Sequence, residues 1–410
     1  MELVNGRYTL EGIDVINLAD KYGTPFYLYN TAKMELQYKR LHQSFGKAKV
    51  RINYACKALT NVNVLKLFAG LGSGLDAVSI QEVELGLKAG FKPQDIMYTP
   101  NCVSLEEIDQ ALAKKVRINI DNISILEQFG HKYGNKAPVG IRINPHVMGG
   151  GNTKISTGHI DSKFGISIHQ LPHLLRVIEA NNMNIDGIHM HTGSDILDVQ
   201  VFLRAVEILI ETAKNFPNLT YIDFGSGFKV PYKSDDIATD IEAFGGEMEK
   251  LYKQFTKSYG KDIAFIFEPG KFLVSEAGYF LVSVNVIKQT TATVFAGVNS
   301  GLNHLIRPMF YDSYHEIFNV SKPHGNPRIY TVVGYICETD TFGWNRKINE
   351  ITEGDVLCFK NAGAYCFSMA SNYNSRYRPP EVMIHKGHDY LIRKGENMDD
   401  LLYNQVEVEL

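Results

Sequence analysis

From about residue 50 to 270, short apolar runs alternate with amphipathic stretches. The runs RINYACKA, LDAVS, DIMYTP, VRINIDN, PVGIRINP, DGIHMHTG, YIDFGSG and IAFIFEPG are rich in β-branched residues and close on Gly, Pro, Asn or Ser. Such runs predict strands covered on both faces, which read as continuous apolar sequence and not as alternation. Between them, VNVLKLFAGL, SIQEVELGLKAG, SLEEIDQALAKK and SILEQFGHKYG place apolar residues three and four apart. That spacing predicts helices with one buried stripe. Ser79, Ser104 and Ser124 are expected N-caps and Gly90 a C-cap.

Eight strand–helix units make a (β/α)8 barrel more economical than an open doubly wound sheet. The expected strand ends are Lys57, Ser79, Pro100, Asp121, Pro145, Thr192, Ser226 and Pro269. The longest gap follows Pro145 and holds the polar, Gly-rich HVMGGGNTKISTGHIDSKFG, a length at which loops are often functional. After Lys271 the texture changes to strands with little helix: SVNVIKQ, RIYTVVGYIC, DVLCFKN and EVMIHKG. The expected organisation is an α/β chain with a barrel over 29–271 and a mainly β domain over 272–410. Residues 1–28, with RYTLEG and then FYLYN, are expected to join that β domain.

Composition narrows the function classes. The 410 residues carry 42 Lys and Arg against 45 Asp and Glu, a net −3 that excludes nucleic-acid binding by bulk charge. Five Cys, an odd number without a dense framework, suit a reducing compartment, most of them as small core residues. The N-terminal MELVNGRYTLEGIDV has no signal-peptide pattern, and no apolar run reaches the ~18 residues of a membrane span. A cytoplasmic protein without membrane or nucleic-acid partners is expected.

Candidate chemistry gathers at the strand ends, where barrels build their sites. Lys57 is either a snorkelling side chain or a Schiff-base lysine. Gly225-Ser226-Gly227 is either a tight turn or an anion cradle of backbone N–H groups. Glu268 follows the apolar IAFIF, and a buried carboxylate there needs a partner, either Lys271 or a protonated heterocyclic nitrogen. In HMHTGS the two His are read as alternating in direction, with one pointing into the barrel. With no carboxylate or Cys cluster in the sequence to support a metal pair, no metal is expected. Further on, Arg307 and Tyr311 share a face if their segment is helical. Cys337 sits beside Glu338, a neighbour that raises a thiol pKa and usually marks an inert Cys.

Taken together, YGTPFYLY, YACKA, STGHIDSKFGI, HMHTGS, FGSGF, EPGK, LIRPMFY, CETD, GAYCFSMASNYN and RPPEV run in one order over nearly the whole chain. The sequence thereby resembles the diaminopimelate decarboxylases, fold-type III decarboxylases that use pyridoxal 5'-phosphate (PLP). The resemblance implies that Lys57 carries the cofactor, with His191 stacked on its ring. Ser194 and Gly225, Ser226 and Gly227 would take the phosphate and Glu268 the ring nitrogen, with Pro269, Gly270 and Lys271 beside it. Tyr365 would touch both phosphate and substrate. Arg307, Tyr311, Glu338 and Lys271 would contact the substrate, and Cys337 would be the proton donor, offered with Glu338 from the partner subunit of a homodimer. Asp76 would orient Lys57 or His191.

Three positions depart from the family pattern. Ser226 stands where a third Gly is commoner, Lys271 where Arg is commoner, and CETDT replaces Cys-Glu-Ser-Gly-Asp. A lysine is a point charge where arginine forks onto an anion, so the contact made at Lys271 stays open between substrate and phosphate. The implied reaction is decarboxylation of meso-2,6-diaminoheptanedioate to L-lysine. The alternatives are carboxynorspermidine or another basic amino acid as substrate, or a catalytically silent PLP-binding homologue.

Overall fold

The computed structural model describes residues 1–147, 161–193 and 198–410. The chain divides into two compact units. One comprises Leu36–Val230 with Ile237–Leu273. The other comprises Met1–Glu35, Pro231–Asp236 and Val274–Leu410.

The first unit is a closed parallel barrel. Its strands are β1 (Val50–Ala55), β2 (Gly74–Ala77), β3 (Ile96–Tyr98), β4 (Arg117–Ile120), β5 (Pro138–Asn144), β6 (Asn184–His189), β7 (Tyr221–Asp223) and β8 (Ala264–Phe267). Each pairs in parallel with the next, and β8 returns to β1. All eight expected strands form. Their ladders stop one to three residues before the expected ends, where turn residues take over. A ninth short strand, Ile166–Ser167, pairs with β5. Most of the long segment after Pro145 (residues 148–160) lies outside the described residues.

Inside the barrel the buried Tyr221 donates to Asn119 Oδ1 at 2.8 Å. Gly140 on β5 and Gly187 on β6 make that possible: a Cβ on Gly187 would lie 1.9 Å from the Tyr221 ring, and one on Gly140 2.2 Å from its hydroxyl. The interior is thus packed by side chains, leaving chemistry to the C-terminal ends of the strands.

The helix starts correct one expectation. Ser79 caps Ile80–Ala89 by accepting the Glu82 N–H at 3.2 Å, and Gly90 ends it at φ 100°. Ser104 precedes Leu105–Ala113 without a side-chain capping bond. Ser124 is not a cap: Asn122 accepts the Ile125 N–H at 2.9 Å and the helix already runs from Ile123. Asn at this position offers a carbonyl oxygen that serves as well as a serine hydroxyl.

The second unit is mainly β. FYLYN forms the strand Phe26–Asn30, antiparallel to Gly278–Gln289 and parallel to Glu381–His385. RYTLEG does not join them; Glu2–Val4, Arg7–Leu10 and Ile13–Asp14 form their own three-stranded meander. One core binds the two, with Val15 and Leu18 packed among the buried Phe26, Leu28, Leu281, Cys358, Val382 and Ile384. Among the described residues, no helix is long and apolar enough to cross a membrane.

Candidate active site

Strand register assembles the barrel's charged cluster. His189 on β6 lies opposite Arg142 on β5 and opposite Asp223 on β7, so three adjacent strands present ionisable side chains at one level. Glu268 follows β8 and Asp76 lies on β2. All five are buried. Lys57, in the turn of a 3-10 helix after β1, is exposed and acts electrostatically on Asp76 and His191.

His189 Nε2 lies 3.1 Å from Glu268 Oε2. Burial works against ionisation of Glu268, but the hydrogen bond and electrostatic pull of the His189 ring, helped by Asp223 and His191, outweigh it and hold the carboxyl at about 2. Burial, and then the Glu268 charge, push the carboxyls of Asp76 and Asp223 well above the usual range. The three acids therefore divide into one carboxylate and two neutral groups, because close like charges in a dry site cannot all ionise. Asp223 also accepts the Gly225 N–H at 2.9 Å.

His191 is half-buried, and burial together with Lys57 and Arg142 keeps its imidazole neutral. Its Nδ1 accepts the Ser226 N–H at 3.3 Å, which puts the ring proton on Nε2. The expectation that only one His of the pair faces the barrel is corrected here. Positions two apart on a strand share a face, and both rings meet the same charged cluster. The fold also brings the two carboxylates, Asp223 and Glu268, that the linear sequence did not place beside His189; their ligand atoms lie within 4.8 Å of one another. The hydrogen bond of Glu268 goes to His189 and not to Lys271, which is buried beside Pro269 and Gly270. Gly225 and Gly227 hold φ of 62° and 153°, and a Cβ on Gly225 would sit 2.7 Å from His191 Nδ1, so the turn requires glycine there. Ser194 lies outside the described residues.

Several polar atoms in this cluster are buried with no hydrogen-bond partner: Glu268 Oε1, Asp76 Oδ1, Asp223 Oδ2 and Thr192 Oγ1. Native interiors rarely leave such groups unmatched without a reason. A cationic heterocycle bearing hydroxyl and phosphate groups would meet an ionised carboxylate, neutral acids and a glycine turn here, so the residues fit PLP.

In the β unit, Arg307 opens the short helix Arg307–Tyr311 and is buried. Its guanidinium lies 5.6 Å from the centre of the Tyr311 ring and 5.8 Å from that of Tyr365, and Nη2 donates to Ser313 Oγ at 3.3 Å. Tyr365 holds a left-handed φ of 57°, costly for an aromatic residue. Cys337 is exposed, its thiol 3.2 Å from Glu338 Oε2. The CETD loop is closed by Asp340, whose buried carboxylate accepts N–H groups of Ile336 and Leu302 at 2.7 Å each. One side chain thus ties the Cys337 segment to the segment leading into Arg307.

Sequence reasoning missed His189, Arg142 and Asp223. The available signal was a charged residue at an inward position of an otherwise apolar strand, as in VGIRIN and YIDFG.

Residues 31–275 match the family described as pyridoxal-dependent decarboxylase, pyridoxal binding domain. The diaminopimelate decarboxylase of Methanothermobacter thermautotrophicus is 39% identical over 98% of this chain and 96% of its own. The crystal structure of diaminopimelate decarboxylase from Methanocaldococcus jannaschii in complex with L-lysine superposes with a TM-score of 0.90 at 30% identity, covering 99% of this chain and 98% of that one. The Helicobacter pylori enzyme, also with L-lysine, gives 0.87 at 30% identity over 95% and 98%. With a pyridoxal-fitting cluster at the barrel's strand ends and relatives matched from end to end, this chain belongs to the diaminopimelate decarboxylases, PLP-dependent carboxy-lyases.

Proposed function

We infer that the protein decarboxylates meso-2,6-diaminoheptanedioate to L-lysine and carbon dioxide, the step that ends lysine biosynthesis. The carrying observation is the buried Glu268, held ionised beside His189 among the barrel's strand ends. PLP supplies an electron sink for the pair left on Cα when carbon dioxide departs.

Lys57, His191, Ser194, the 225–227 turn and Glu268 would hold the cofactor. Glu268 keeps its charge through His189 and so favours the protonated ring nitrogen, the better sink. Neutral His191 adds a flat surface without a competing positive charge. Arg307 suits a distal carboxylate and Glu338 a distal ammonium, an arrangement that orients the scissile bond by anchoring the far end of the substrate. An ornithine or arginine pocket would instead need an acidic group for a distal cation. Cys337 would return a proton to Cα. The separate placement of Lys57 and Cys337 on two structural units is compatible with a homodimer whose sites draw on both subunits, and we propose that assembly.

Release of carbon dioxide from a panel containing the diamino diacid, lysine, ornithine, arginine and carboxynorspermidine tests the reading. Preference for the diamino diacid is expected, and preference for any other member would overturn it.

A further inference from the structure

The segment that carries Tyr365 continues through a short turn at Tyr373–Ser375. Two of its side chains reach the acid–thiol pair. The Tyr373 hydroxyl donates to Glu338 Oε1, and the Asn374 amide Nδ2 lies 3.8 Å from Cys337 Sγ. Glu338 Oε2 accepts from the thiol at 3.2 Å. Four side chains thus form one chain of hydrogen bonds: tyrosine to carboxylate, thiol to the same carboxylate, amide to sulfur.

The backbone is set to present them. Asn374 holds φ 55° and ψ 28°, and Ser375 φ 55°, two consecutive left-handed residues. Asn is among the few non-glycine residues that take this conformation readily. Asp340 fixes the opposite side of the loop through Ile336 and Leu302.

We propose that Tyr373 and Asn374 are positioning residues for the decarboxylation, Tyr373 setting Glu338 for the distal ammonium of the substrate and Asn374 setting Cys337 for proton return. This rests on the functional reading above. Tyr373 occupies one carboxylate oxygen and so aims the other. An ammonium arriving at Oε2 displaces the thiol proton from that oxygen and leaves S–H available to the substrate. The step itself balances simply: the electron pair left on Cα by loss of carbon dioxide takes the thiol proton, the C–H bond forms as S–H breaks, and the sulfur becomes a thiolate. The Asn374 amide, already directed at sulfur, donates to that thiolate until water reprotonates it. Hydrogen bonds to charged groups are the stronger kind, so this contact strengthens as the proton leaves.

The two residues predict different kinetic signatures in the PLP-loaded enzyme. Tyr373→Phe removes one hydroxyl; KM for the diamino diacid should rise about tenfold, the effect of one lost charged hydrogen bond, with kcat within about threefold. Asn374→Gly keeps the left-handed backbone and removes the amide; kcat should fall about tenfold with KM little changed. The ratio of kcat in H2O to kcat in D2O should also rise, because proton return becomes slower than the preceding steps. A purely structural role would move both constants together and leave the isotope ratio alone. Wild-type kcat, KM and isotope ratio in both variants would overturn the proposal. Should Asn374→Gly fail to fold, the KM-against-kcat split of Tyr373→Phe decides it. Wild-type protein that releases no carbon dioxide from the diamino diacid would instead defeat the functional reading.

Discussion

His189 and Glu268 meet 3.1 Å apart among the barrel's strand ends, each almost wholly enclosed by protein. Burial lowers the pKa of the imidazole, so the ring is neutral and places its one proton on the nitrogen facing the carboxylate. The bond is therefore an N–H to a carboxylate, of the charge-assisted kind. His189 Nδ1 has no partner of its own. The histidine thus gives up one hydrogen bond so that Glu268 can stay ionised without the cost of an unpaired buried charge.

His189→Leu removes that donor at nearly constant volume. A charged hydrogen bond is worth ~1.5–3 kcal/mol, so the Glu268 pKa rises and kcat should fall at least about tenfold. His189→Gln, whose amide still donates, should keep most of the activity. Steady-state kinetics of the two variants checks this, and equal kcat for wild type and His189→Leu would show the contact to be only packing.

Glu268→Gln separates the charge from the shape. The fold and bound PLP should persist, while kcat falls strongly because a neutral amide does not favour a protonated ring nitrogen. If kcat stays within about twofold, a barrier change under ~0.4 kcal/mol, Glu268 has no electronic role.

The eight barrel strands were legible because parallel strands covered on both faces leave apolar runs, such as IAFIF before Glu268 and YIDF before Gly225. The caps at Ser79 and Gly90 were legible because their geometry is local. What stayed hidden depends on register. Nothing in the linear sequence aligns Arg142, His189 and Asp223, which are far apart in the chain; the staggered ladder of β5, β6 and β7 does so. The direction of the two His was misjudged because alternation was applied to residues two apart instead of adjacent ones. RYTLEG lies in the β unit, but its partners stayed hidden for a related reason: a strand's pattern states that it pairs, not with which partner, and Arg7–Leu10 found Glu2–Val4 and Ile13–Asp14 nearby.

The proposed sharing of sites between two subunits makes a complementation test decisive. Lys57→Ala and Cys337→Ala should each be inactive alone. After subunit exchange, a mixed dimer holds one site with both residues intact and one with neither. Activity should then recover to as much as about a quarter of wild type, since half the dimers are mixed and each has one working site of two. No recovery after verified exchange would place both residues in the same chain's site.

Two buried histidines in the β unit predict its behaviour in acid. His315 donates from Nδ1 to the Lys360 carbonyl at 2.8 Å, and His304 bonds the Tyr377 carbonyl at 2.8 Å. Burial lowers their pKa values to about 3 and about 4. In the unfolded chain they titrate near ~6.5. Between those limits the unfolded state binds more protons, so stability is full above ~6.5 and falls as pH drops, by up to ~1.4 kcal/mol per pH unit for each histidine. Their contribution to the melting temperature should therefore decline from pH 7 to pH 5, opposed by Asp340, whose carboxyl burial raises to about 6. His315→Asn, which keeps a donor for Lys360 but cannot titrate, should flatten that decline; an unchanged slope would mean that His315 is not what acid attacks.

Under the proposed function, substrate choice turns on Arg307. Its guanidinium is buried against Tyr311 and Tyr365, and its planar fork of N–H donors suits a carboxylate. The distal carboxylate of meso-2,6-diaminoheptanedioate would meet it there; lysine and ornithine have no second carboxylate. Losing a charged hydrogen bond of ~1.5–3 kcal/mol implies discrimination of at least about tenfold per contact, and a bidentate grip would double the exponent. Arg307→Ala should therefore cut kcat/KM for the diamino diacid by about a hundredfold or more. For lysine, already poor, the ratio should change far less, because the lost group never touched it. The comparison of the two substrates is the measurement, since a general loss of folding or of PLP would lower both by the same factor. A parallel fall would remove Arg307 from substrate recognition while leaving the cofactor assignment at Glu268 untouched.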